Sequence, residues 1–77
     1  MKNIAFITYE LPEGHRDGDI EGYLRYVRMK WISYRAGYSM IEAIAWDTII
    51  IDRNVLLYMD NDWWGAMLTH SRNIVIV

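Results

Sequence analysis

The chain has 77 residues, which is the length of one domain, and it holds no cysteine, so disulfides and thiolate-held metals are excluded as its reinforcement. A formal net charge of −2 excludes the basic balance that general affinity for nucleic acid requires, and no apolar run reaches the ~20 residues of a bilayer-spanning helix. With 53% hydrophobic and only 23% charged residues, the chain carries more apolar side chains than so small a core can hide, so a partner or a second copy is expected to cover some of them.

The opening stretch MKNIAFITYE is a poor secretory signal, because its apolar run is short and no small-residue cleavage pattern comes after it. A cytoplasmic protein with no membrane association is the expectation. Residues 3–9, NIAFITY, are rich in β-formers with apolar groups on both faces, which predicts an interior strand. ELPEGHRDGD then reads as a long loop. Asp19 suits an N-cap and Glu21 a first turn. From there Ile20, Tyr23, Leu24, Val27, Trp31 and Tyr34 recur at helical spacing, which predicts a helix over 20–36 closed by Gly37.

SMIE at 39–42 fits a capping box and opens a second helix over 40–47. TIII and VLLYM, separated by DRN, predict a hairpin of 48–52 and 55–59. The alternative is one helix running to about residue 53 with a single strand after it. Asp62 caps a short helix from 63 to 70, and NIVIV at 73–77 is a strand that either joins the sheet or pairs with another copy along an exposed edge. The order β-α-α-β-β-α-β implies a small two-layer α+β domain over 1–77. Its expected sheet is short and mostly antiparallel, about three or four strands packed by one long and one or two short helices.

These elements supply the candidate sites. On the helix over 20–36, Arg25, Arg28, Ile32 and Arg35 share a face flanked by tyrosines, and Arg and Tyr are favoured at protein interfaces. DNDWWG has the outline of a calcium loop, but Trp64 has no side-chain oxygen and Ser71 stands where a bidentate glutamate belongs, which leaves a capped helix start. Trp63 and Trp64 would sit about 100° apart there, one filling the core and its neighbour available to a partner. The loop residues Glu13, His15, Asp17, Asp19 and Glu21 alternate, and such a run suits a divalent cation or acid–base pair, although Gly14 and Gly18 interrupt it. WISYRAGYSMIEAIAW resembles a helix-turn-helix over this stretch alone.

The sequence contains no phosphate-binding glycine loop, no nucleophile motif and no cofactor signature. The expected function is therefore a small non-catalytic protein-binding module that inhibits or modulates a larger macromolecule, of the size common in phage and mobile elements. Arg25, Arg28, Ile32, Arg35, Trp63 and Trp64 are its expected contacts. Its expected partner is another protein or itself as a homodimer, with no cofactor. The alternatives are nucleic-acid binding through the basic helix 20–36 and, more weakly, a metal-dependent hydrolase built on the acidic loop 13–21.

Overall fold

The computed structural model describes residues 1–24 and 26–77, with residues 20–24 described by their backbone alone. In chain order the elements are β1 (Lys2–Thr8), β2 (Ile20–Leu24), β3 (Val27–Ser33), α1 (Tyr38–Ala43), β4 (Trp46–Ile51), a 3₁₀ turn (Arg53–Leu57), α2 (Asn61–His70) and β5 (Ser71–Ile76). The strands form one five-stranded sheet in the order β2-β3-β1-β4-β5. β1 lies at its centre and pairs in parallel with both β3 and β4, and β5 extends β4 in parallel. β2 alone is antiparallel, joined to β3 as an edge hairpin.

The sheet is thus parallel over four strands, not mostly antiparallel. Its physical cause is the connections. Parallel neighbours need crossovers, and crossovers are right-handed. The chain leaves β3, passes over β1 through α1 and returns in β4; it then advances in the same direction through α2 to β5. Crossovers of the same hand running in one direction place both helices on one face of the sheet, and α1 and α2 do contact each other. The step from β1 to β3 runs the other way, so a helix there would lie on the opposite face. That step holds instead a loop and β2, which joins the sheet edge.

The core lies between the sheet and the helices. Ala5 and Ile7 of β1, Ile32 of β3, and Ile49 and Ile51 of β4 are fully buried against Ile41 of α1, Val55 of the 3₁₀ turn, and Trp63, Ala66 and Met67 of α2. Trp46 joins them, its indole Nε1–H donating to the Ile41 carbonyl at 3.1 Å. Each fully buried isoleucine contributes roughly 1.5–3 kcal/mol by removal from water.

Several expected elements differ. The segment 20–36 is not a helix but the hairpin of β2 and β3. Leu24 pairs with Val27, and Tyr26 takes a left-handed φ of 68° without being glycine. Asp19 caps no helix; its carboxylate accepts from the Arg16 amide at 3.2 Å. Gly37 precedes α1 at φ −98°, and α1 starts without a side-chain cap, so Ser39 and Glu42 make no capping box. Glycine is required at 37 by crowding, since a Cβ would run into Ile32, the Ser33 carbonyl and Asp17.

The expected strand 55–59 is instead the second half of a 3₁₀ turn together with Tyr58 and Met59, and the turn is begun by the Asp52 carboxylate accepting from the Asn54 amide at 3.0 Å. Val55 is buried while Leu57 is 85% exposed, and both have the same parity that one face of a strand would share. The last helix is capped two residues earlier than expected, by Asp60, whose Oδ1 accepts from the Trp63 amide at 2.9 Å.

A candidate docking face

Strand pairing decides which side chains share a face, because residues at one register level point the same way. Phe6 stands level with Trp31 and with Ile50, Ile4 with Met29 and Thr48, and Ile50 with Val75. These residues and Thr8 and Val27 therefore project from the side opposite the helices. Among the described residues no helix lies on that side. The Phe6 and Trp31 rings stack at a centroid distance of 5.9 Å, and the Trp31 indole N–H donates to Thr8 Oγ1 at 2.7 Å. His15, from the loop after β1, sets its ring edge-on to Trp31 at 5.4 Å.

Ile4, Phe6, Val27, Met29, Trp31 and Ile50 are half-buried, and among the described residues no helix packs on them. Val75 is 45% exposed. None of these positions carries a charge, and Lys2 stands at the border, level with Val27. A parallel sheet is ordinarily covered on both faces, so a bare apolar face on one is unusual.

The carboxyl ends of the parallel strands form a second region. Tyr9, Tyr34 and Tyr58 meet there, with centroids 6.3 Å and 4.6 Å from Tyr9, and Tyr34 continues to Trp63 at 4.9 Å. The Tyr34 hydroxyl donates to the Tyr58 carbonyl at 2.5 Å. Loss of hydration, and then the nearby Asp60 charge, raise the Tyr34 hydroxyl above its ordinary range; Tyr38 is raised by loss of hydration and then by Glu42, Asp62 and Asp60.

Beside these rings lies a shallow groove of about 350 Å³ lined by Glu10, Leu11, His15, Asp17, Ser33, Arg35 and Ala36. Its carboxylates are already engaged. Asp17 accepts from the Ser33 amide at 2.5 Å and from its hydroxyl at 2.9 Å, which ties the loop to the end of β3. Glu10 pairs with Arg35 at 3.0 Å. Among the described residues no three histidine or acidic side chains converge as a metal site, and the Glu21 side chain is not among those described.

The six contacts expected from the sequence do not form one surface. Arg25 lies outside the described residues. Ile32 is completely buried in the core, and Trp63 nearly so at 5% exposure. Trp64 is half-buried and packs against the same core. Arg28 is half-buried on β3, level with Asn3, and its Nε is buried without a hydrogen-bond partner. Arg35 is exposed beyond the end of β3 and bonded to Glu10. On β3 Arg28 and Ile32 still share a face but Arg35 lies beyond the strand, and the segment 20–36 on which the nucleic-acid alternative placed a basic helix holds the strands β2 and β3. The residues that do share a face, Phe6, Met29, Trp31 and Ile50, carried two signals in the sequence: the apolar groups on both faces of residues 3–9, and the alternation Val27, Met29, Trp31.

No protein-family model, no curated protein and no solved structure matches this chain. Among the described residues, no helix is long and apolar enough to cross a membrane.

Proposed function

We propose that the chain is a non-catalytic protein-binding module that modulates a larger protein by docking its uncovered sheet face on an apolar surface of that partner. The observation that supports this reading is the uncharged apolar face of a parallel sheet, with the stacked pair Phe6 and Trp31 at its centre. Large aromatic side chains in such a setting concentrate binding energy, and a rim that excludes water completes the site. The pair is preorganised by the Trp31–Thr8 hydrogen bond, so little side-chain freedom remains to be lost on docking. The absence of charge at Ile4, Phe6, Met29, Trp31, Ile50 and Val75 favours an apolar partner surface over phosphate backbones.

The test is capture of partners from the native host by the intact chain and by variants that place a charge on this face. Met29→Lys and Thr48→Lys alter side chains on which no helix packs among the described residues, so the circular dichroism spectrum and melting temperature should hold. Capture should fall at least tenfold, the scale of about 1.4 kcal/mol. Partners retained in full by both folded variants would reject the face as the docking site.

A further inference from the structure

The two edges of the sheet are built differently. At the β2 edge the pairing with β3 slips between Ile20 and Gly22, and residues 18–19 continue the contact irregularly through Gly18 N to Trp31 O at 3.3 Å and Trp31 N to Asp19 O at 3.4 Å. A register slip and a glycine are among the devices that keep an edge strand from recruiting another. β5, at the other edge, has none of these. Its sequence SRNIVI contains no proline, glycine or lysine, and its pairing with β4 is regular from Thr48–Asn73 to Ile51–Ile76.

The direction of its free hydrogen-bonding groups is fixed by one bond. Val77 N donates to Ile51 O at 2.9 Å, so residue 77 faces β4. Backbone groups alternate along a strand, so Asn73 and Val75 also face inward, and Arg72, Ile74 and Ile76 turn their N–H and C=O outward. On this edge Ile76 is 47% exposed; on α2, Asp62, Gly65 and Thr69 line the cleft with α1, which leaves Leu68, 66% exposed, on the side of the helix turned away from α1.

We propose that a second copy of this chain pairs its β5 antiparallel to β5 across a two-fold axis, with Ile74 opposite Ile74. This register alone engages all three outward-facing residues of each copy within the strand: Ile74 with Ile74, and Arg72 with Ile76 in both directions. It sets Asn73 opposite Val75 and places no like charges opposite each other. Self-complementarity of this kind is what a two-fold interface demands. The axis is perpendicular to the sheet, so both helix layers fall on one side and α2 approaches its copy, giving Leu68 an apolar neighbour. That helix contact matters, because a strand pair of ~17 Å alone covers less than the roughly 800 Å² per partner of a stable interface. On the other side the two bare faces become one continuous surface. The pairing does not depend on what docks there.

Light scattering across a micromolar concentration series should give twice the chain mass. Ile76→Pro deletes an outward N–H that the fold does not use, so the chain should remain folded by circular dichroism while dimerisation weakens at least about tenfold. The register is tested separately. The chain holds no cysteine, so Ile74→Cys places one thiol on the axis, about 5.5 Å Cα to Cα from its copy, and mild oxidation should join it covalently. Ile76→Cys, opposite Arg72, should not cross-link. A single-chain mass throughout the series, an undiminished dimer in folded Ile76→Pro, or equal cross-linking of the two cysteine variants would each overturn the proposal. Should Ile76→Pro fail to fold, the cysteine pair decides alone.

Discussion

The two faces of the sheet are made from the same strands and much the same residue types, yet among the described residues one is covered by helices and the other is not. Ile49 is completely buried, and Ile50, its neighbour in the chain, is only half-buried. Hydropathy does not separate them; the direction of the crossovers does. Both helical crossovers run toward β5 and cover one face, whereas the one connection running the other way was converted into an edge hairpin. A face left apolar by strand composition and bare by topology is where covering by another molecule is physically favoured.

Substitutions on the two sides sharpen this contrast. The largest loss is expected for Trp63→Ala, which empties the core beside Tyr34 and Tyr38: about 3–5 kcal/mol in chemical denaturation. Ile49→Ala should cost about 2–5 kcal/mol, whereas Ile50→Ala on the bare face should cost under about 1 kcal/mol. Equal losses at 49 and 50 would mean that both faces are covered in the isolated chain, and the asymmetry would fail.

Asp60→Ala removes the α2 cap and should lower stability by about 1 kcal/mol. Asp62→Ala should cost only a few tenths, because Asp62 acts through the helix dipole and caps nothing. The smallest effect is one of pH. Tyr34 and Tyr38 titrate higher in the folded chain than in the unfolded one, so their contribution is full below a pH of about 10 and is lost as pH rises through their raised folded values. Denaturation at mildly and strongly alkaline pH should show this decline, and Tyr34→Phe should flatten it.

Parts of the fold were legible in the residues. β-branched and aromatic runs marked β1, β4 and β5, and the acidic turn before the paired tryptophans marked the start of α2 to within two residues. The segment 20–34 misled because it satisfies two periods at once. Val27, Trp31 and Tyr34 fit a helix, while Val27, Met29 and Trp31 fit a strand. Nothing local breaks the tie, since the hairpin bends at Tyr26 without glycine or asparagine. The tie is broken by β1, against which β3 aligns over its whole length and buries Ile32 beside Ile7. The candidate face was hidden for the same reason: Phe6, Trp31 and Ile50 lie far apart in the chain, and only the register brings them level.

Composition, length and the absence of cysteine by themselves determined that this chain would be left with apolar surface to cover, because that is set by a count of side chains against the volume of so small a core. Local patterning determined where most strands and the last helix form, because periods of two and 3.6 residues are properties of a few neighbouring positions. Which strands are neighbours, that four of the five run parallel, and which face the helices leave uncovered were decided only by tertiary structure. Pairing partners and crossover hand are contacts between residues tens of positions apart, and no short window contains them.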